Sequence, residues 1–525
     1  MALGGHDSIQ ERLRAAVRRN LDPASEKTAP AENENPPARK DQPPVSFAWQ
    51  QRSGRSRWPA DGRRPVASPA AFSGGAAFVT PGGPRRGLHP DINSAVQAAS
   101  VAFESYRVWP LRSREAMIAN IRQRLLEQVE TLSRHAVEET GLGRVADKLQ
   151  KNHLVITKTP GPEILVPRAQ SGDEGLTLME YAPFGVIAAI TPVTNPSETL
   201  INNAISMLAG GNTVVFNAHP SAKQVTAEAL HLVNMAAREA GCPVDPLHAC
   251  AEPTIETAQQ LMRHPEVRLL VVTGGAGVVK AALAAGKKVI AAGAGNPPAV
   301  VDSTADLAAA AGHIVAGASF DNNIVCIAEK VVVAEASIHD QLVSEMAALG
   351  CRVLTPDELT RVEETIFTET RGPNRPAVIE RRWVGKDAVK ILRAARVNAA
   401  GDPPLALALV PPEHPLCWTE QMMPVLPIVA VPDVETAIDL AFRFERNNRH
   451  TAMMHSRNIE MLSLMAQRMD TSIFIKNGSC AAGLGAGGEG YTSFTIASPT
   501  GEGLTTARTF CRQRRCVLVG AFRIV

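Results

Sequence analysis

From residue 88 onward, continuous apolar runs alternate with amphipathic stretches. YAPFGVIAAITPVTNP reads as a buried strand entering a turn, and ETLINNAISMLAGG as a helix closed by glycines. NTVVFNAHP is the next strand and SAKQVTAEALHLVNMAAREAG the next helix. VRLLVVTGG follows as a strand with a glycine-rich exit. Ahead of these, DINSAVQ through AVEET predicts two helices divided near Pro110. Unbroken apolar strands separated by helices predict an α/β protein with a doubly wound parallel sheet.

The first ninety residues follow another pattern. Residues 22–90 hold 12 of the 38 prolines, with Gly, Ser and Arg runs such as GRSRWPADGRRP. Such a segment buries too little apolar surface to offset its ordering entropy, so residues 22–87 read as a disordered linker. Before it, residues 1–21 predict an amphipathic helix. Ile9, Leu13, Ala16, Val17 and Leu21 fall within about 140° of arc, with Asp7 or Ser8 as N-cap. A stripe on a long tether suits docking into another protein's groove. The alternative is a helix resting on its own domain.

Composition narrows the function. The 525 residues are 45% hydrophobic, 20% charged and only 4% aromatic, which favours an Ala/Val-rich α/β enzyme over an all-β binding module. A formal net charge of +2 supports no whole-protein claim on nucleic acid or anionic membrane. No apolar run approaches the roughly 18 residues of a spanning helix. The N-terminus has no apolar signal region, and the eight cysteines form no C-x-x-C pair. The expectation is a soluble intracellular chain without a metal site.

Three features carry chemistry. Cys326 stands in SFDNNIVCIAEK, where Asp321, Asn322 and Asn323 crowd polar groups that a core cysteine would not want. The segment is expected to turn into a short helix whose N–H groups favour a thiolate. VVTGGAGVVKAAL is a strand, glycine turn and helix, and the peptide N–H groups after Thr273, Gly274, Gly275 and Gly277 could receive a pyrophosphate. Taken alone, such a turn equally serves packing. Asn195 in TPVTNP lies at a strand's carboxyl end, where doubly wound sheets bind ligands, although turn asparagines are more often structural.

ITPVTNPSET, VVFNAHPSAK, VIAAGAGNPPAVVD, SFDNNIVCIAEK, NNRHTAMMHS, KNGSCAAGLGAGGEGYTSFTIASPTGEG and ARTFCRQRRCVLVG together give a resemblance covering some 430 residues. The chain resembles the CoA-acylating aldehyde dehydrogenases of bacterial microcompartments, the propionaldehyde dehydrogenases in particular. The resemblance makes Cys326 the nucleophile and gives Asn195, with the Cys326 N–H, the thiohemiacetal oxyanion. It makes Thr273, Gly274, Gly275 and Gly277 the phosphate turn and Glu420 the ribose ligand. In Glu420's segment Met422 and Met423 replace the family's Phe-Gly. Asn217 stands where ordinary members carry a lysine, followed by His219. That departure leaves NADP open beside the expected NAD. Hydrolytic members open the VIAAGAGNPP segment with a water-activating glutamate. Here Ala291 and Ala292 occupy it, and no carboxylate lies in residues 288–301. Without that base the acyl thioester waits for the CoA thiol. His450 is either an acid/base for that thiol or a hydrogen-bonded structural residue.

The resemblance thus implies an aldehyde dehydrogenase-like fold. A cofactor domain would span 88–316, with an oligomerisation hairpin near 161–181, followed by a catalytic domain over 317–500 and a C-terminal oligomerisation strand in 501–525. It implies a homo-oligomer, dimer or tetramer, whose residues 1–21, similar to encapsulation peptides, dock on a microcompartment shell protein. The expected substrate is propanal, with acetaldehyde or lactaldehyde as alternatives. The rival readings are a hydrolytic enzyme and a shell-docking scaffold with a vestigial enzyme body.

Overall fold

A computed structural model describes residues 85–525. The helix expected over 1–21, and the linker up to residue 84, lie outside the described residues. The last linker positions are already held: Arg85 donates to the Gln224 side chain at 2.8 Å, and Arg86 pairs with Asp245 at 3.1 Å. The ordered body therefore begins ahead of residue 88.

Six parallel strands form the first sheet, in the order Leu88–His89, Leu247–Cys250, Thr213–Asn217, Val186–Ile190, Val267–Thr273 and Lys288–Ala292. Every residue of Val186–Ile190 and Thr213–Asn217 is buried, as the apolar runs VIAAI and VVF require. Within Val186–Ile190, Ile187 and Ala189 enter one core while Val186, Ala188 and Ile190 enter another. That two-residue alternation between opposite faces is the doubly wound arrangement expected. Strand order reverses at Val186–Ile190, which places a ligand crevice beyond its carboxyl end. The helices Ile92–Tyr106 and Leu111–Thr140 are divided at Pro110, whose fixed φ suits a helix start.

The second sheet has seven parallel strands, in the order Arg352–Val353, Ala406–Leu409, Val425–Val431, Val331–Glu335, Pro298–Val301, Thr451–His455 and Ile473–Lys476. The chain changes sheets between Ala292 and Pro298, ahead of the 316 boundary expected from sequence. Pro298–Val301 is as apolar as its predecessor, so its composition does not say which sheet it joins. The GAGNPP turn makes the change, and its prolines donate no ladder hydrogen bond.

Arg168–Gly172 and Gly175–Pro183 form a hairpin, and Cys511–Val519 pairs antiparallel with its second strand. The C-terminal oligomerisation strand expected from the resemblance is thus paired within its own chain. No helix among the described residues is long and apolar enough to cross a membrane.

Candidate active site

Two strand edges contribute the site. The first sheet offers carboxyl ends: Asn195 follows Val186–Ile190, Asn217 closes Thr213–Asn217, and Thr273 closes Val267–Thr273. The second sheet offers amino ends. Gly295 precedes Pro298–Val301, Cys326 precedes Val331–Glu335, Glu420 precedes Val425–Val431, and His450 precedes Thr451–His455.

The Cys326 loop is built by left-handed backbone. Asp321, Asn322 and Asn323 have φ of 50°, 54° and 66°, a region that Asn and Asp tolerate better than other side chains. All three are sealed from solvent. Asp321 Oδ1 accepts from the Arg144 N–H at 2.9 Å, and Asn322 Nδ2 donates to the Gly385 carbonyl at 2.9 Å. Asn323 Nδ2 donates to the Ala318 carbonyl at 2.7 Å. The triad therefore shapes the loop rather than dressing the sulfur. The short helix expected after Cys326 is absent; the chain runs from a turn into the Val331–Glu335 strand, because Glu329 and Lys330 are anchored inside. Lys330 Nζ donates to Asn323 Oδ1 at 2.6 Å and to the Asn323 and Val325 carbonyls.

Cys326 itself is partly exposed. The surrounding burial, then the Glu420 carboxylate, push its thiol up to about 12, against the pull of Lys330, its own N–H and Lys151. These surroundings favour the thiol, where the sequence pattern pointed to a thiolate. Burial likewise raises Glu420 to about 7, and Glu420 Oε1 accepts from the Gly295 N–H at 3.3 Å. A Cβ on Gly295 would stand 2.8 Å from the Cys326 carbonyl oxygen and 3.1 Å from His450 Cγ, so these residues meet at one point. His450 Nδ1 lies 2.9 Å from Thr451 Oγ1. Burial, then Lys330, lower the imidazole to about 4, which leaves it neutral. Ala291 and Ala292 are buried in their strand and supply no base.

Asn195 stands at the N-cap position of the helix Pro196–Ala209, yet its side chain caps nothing. Its Oδ1 accepts from Lys151 Nζ at 2.6 Å, and its Nδ2 reaches Thr194 Oγ1 at 3.2 Å. Lys151 belongs to a sealed cluster with Lys148, Glu198 and Asp321, which the sequence reading did not single out.

The glycine turn is open. Gly275 starts the helix Ala276–Leu283, and the Gly274 N–H is spent on the Ala292 carbonyl. A Cβ on Gly275 or Gly277 would meet nothing within 4 Å, and Thr273 Oγ1 is buried without a hydrogen-bond partner. An orphaned hydroxyl beside an unobstructed helix start fits a dinucleotide's phosphates. Asn217 has protein partners instead: Oδ1 accepts from Thr257 Oγ1 at 2.7 Å, and Nδ2 lies 3.4 Å from the Thr254 carbonyl. His219 is exposed and caps the following turn through Ser221 N–H.

A model of the aldehyde dehydrogenase family matches residues 83–498. The acetylating acetaldehyde dehydrogenase EutE of Escherichia coli is 49% identical over 442 residues, covering 84% of this chain and 94% of that protein. A propionaldehyde dehydrogenase from the Clostridium phytofermentans fucose utilisation microcompartment superposes with TM-score 0.81 at 44% identity, covering 84% of this chain and all of that one. The Rhodopseudomonas palustris propionaldehyde dehydrogenase, solved with bound CoA and an acylated cysteine, gives TM-score 0.81 at 47% identity, covering 84% and 99%. The chain belongs to the aldehyde dehydrogenase family, in its CoA-acylating branch.

Proposed function

We propose that this chain oxidises propanal to propanoyl-CoA with NAD through a thioester on Cys326. The observation that carries the reading is Cys326 on an internally braced loop, with Ala291 and Ala292 where hydrolytic members hold their base. Cys326 gives its thiol proton to solvent water, and its sulfur bonds the aldehyde carbon as the carbonyl π pair moves onto oxygen. Asn195 Nδ2 and the Cys326 N–H hold the resulting alkoxide; one such donor is worth roughly 10²–10³ in rate. Thr273, Gly275 and Gly277 would hold the dinucleotide's phosphates and Glu420 its ribose, and the bound nicotinamide supplies the hydride acceptor. Asn217 and His219 border the same edge. The CoA sulfur then bonds the acyl carbon and Cys326 leaves. In this reading neutral His450 would take the CoA thiol proton; the alternative is a structural residue bonded to Thr451.

NADH formation from propanal should require CoA. A rate indifferent to CoA would mean that a carboxylate such as Glu420 activates water, and the hydrolytic reading would win. The names of the relatives divide between acetaldehyde and propanal, substrates one methylene apart, and pockets separate such a pair by about 1–3 kcal/mol. A kcat/KM for propanal above that for acetaldehyde is the expected order, and the reverse order would reassign the substrate.

Two partner readings rest on the same proposal. Residues 1–21 would dock on a microcompartment shell protein, so a reporter fused to them should concentrate with co-expressed shells, and a diffuse reporter would end that reading. Val517, Leu518 and Val519 lie exposed on a sheet edge, which suits a homo-oligomer. Truncation after Arg508 should then leave monomers in light scattering.

A further inference from the structure

A primary amide can face two ways, and only one of them presents a donor to an oxyanion. An ammonium has donors and no acceptor, so whichever amide atom it touches must be oxygen. Lys151 Nζ touches Asn195 Oδ1 at 2.6 Å, fixing Nδ2 on the opposite side. The side chain is not recruited as a helix cap, although asparagine at that position ordinarily is.

The ammonium is itself fixed. Lys151 Nζ contacts Asp321 Oδ2 and lies 3.1 Å from Glu198 Oε1, while Lys148 Nζ lies 3.0 Å from the same Asp321 oxygen. All four side chains are 0–1% exposed, and two positive charges face two negative ones. Burial opposes the Lys151 charge, but Asp321 and Glu198 outweigh it and hold Lys151 above the ordinary lysine range. Asp321 opens the nucleophile loop, and the Lys151 charge is felt at the Cys326 sulfur. One cation therefore bridges the loop of the nucleophile and the amide of the oxyanion donor. A buried ion cluster of this cost is weak evidence for stability and better evidence for fixing one arrangement.

We propose that Lys151 is a positioning residue that locks the Asn195 amide with Nδ2 toward the developing oxyanion. This rests on Asn195 being the oxyanion donor. The test is a double-mutant cycle on the full chain, with steady-state kinetics on propanal, NAD and CoA. Asn195→Ala should lower kcat about 10²–10³-fold. Lys151→Met should lower kcat at least about tenfold with little change in KM, and should add less than about twofold in the Asn195→Ala background, because a donor already removed cannot be misdirected. Lys151→Met strips one charge from a sealed cluster and can fail to fold. K151M/E198Q keeps the cluster neutral and is measured beside it, with thermal melting to confirm the folded state.

The third readout is alkylation of Cys326 by iodoacetamide across pH, which does not need an oxyanion hole. Its profile should shift slightly to higher pH in K151M/E198Q, because the Lys151 charge is felt at the sulfur, but the alkylation rate should change far less than turnover. Equal losses in both backgrounds, or an alkylation defect as large as the turnover defect, would overturn the proposal by making Lys151 a structural or thiol-tuning group. If Asn195→Ala itself left kcat within threefold, the oxyanion assignment would fall, and the positioning role with it. A large Asn195 effect with no Lys151 effect would sink the positioning role alone.

Discussion

The two sheets bring opposite ends of their strands to the candidate site, and the two edges are built in opposite ways. The carboxyl edge of the first sheet is open: Gly275 and Gly277 face empty space and Thr273 Oγ1 has no partner. The amino edge of the second is closed, with Asp321, Asn322, Asn323 and Lys330 buried and bonded to protein atoms. An edge that receives a charged ligand keeps its donors unspent, since the ligand is their partner. An edge that holds a nucleophile spends its polar groups internally, because a reacting atom misplaced by about 1 Å can cost 10²-fold.

The sharpest way to break this contrast is at Cys326. Cys326→Ala should abolish CoA-dependent NADH formation, a loss of at least about 10⁴-fold, since other nucleophile deletions cost as much or more. NAD affinity, by contrast, should hold within a few-fold, because the open edge does not depend on the sulfur. Retained turnover would remove the thioester mechanism.

Next comes Gly295→Ala, aimed at the closed edge's tightest point. The added methyl would stand 2.8 Å from the Cys326 carbonyl, backbone that cannot swing away. Turnover should fall on the order of 10²-fold with the protein still folded. Wild-type kinetics would mean the loop has slack, and the contrast between edges would soften.

How far the sequence carried this picture depends on the kind of signal. Strands such as Val186–Ile190 were legible because full burial needs an unbroken apolar run, and Pro110 was legible because proline cannot sit inside the preceding helix. Cys326 and Asn195 were legible through motif resemblance, and the Gly turn through its strand–turn–helix pattern. The sheet change at Gly293–Pro297 was not, since PAVV would suit either sheet. Nor was the left-handed run at Asp321–Asn323, where polar side chains suggested exposure but serve a buried loop. Lys148 and Lys151 were not legible because a charged residue on a helix ordinarily faces water. One signal was available: Lys148, Lys151 and Asn152 share the i, i+3, i+4 stripe with Val155 and Ile156, the stripe that this helix buries.

A subtler test lies in pH. Glu420 is held at about 7, so it is protonated and neutral below that pH and an ionised acceptor above it. If it accepts the ribose hydroxyls, kcat/KM for NAD should rise several-fold as pH climbs through 7, and Glu420→Gln should flatten that rise. Cys326 titrates far higher: with its thiol at about 12, alkylation should keep accelerating through pH 10 instead of levelling near 8.5, an ordinary thiol's range. A plateau near 8.5 would show the thiol to be less enclosed than its surroundings imply.

The smallest effect is expected at the open edge, and its sign distinguishes the two kinds of edge. Gly277 lies in the first turn of Ala276–Leu283, where alanine is the better helix former by up to about 1 kcal/mol. Because nothing lies within 4 Å of the added methyl, Gly277→Ala should leave the fold intact or raise its melting temperature slightly. Yet the same methyl would narrow the space in which a pyrophosphate approaches the helix start. KM for NAD should therefore rise several-fold while kcat at saturating NAD stays unchanged. A gain in stability with a loss in cofactor affinity is the mark of a glycine retained for a ligand. Were KM to stay at its wild-type value, the turn would be a packing feature, and the phosphates would have to be sought elsewhere along the carboxyl edge.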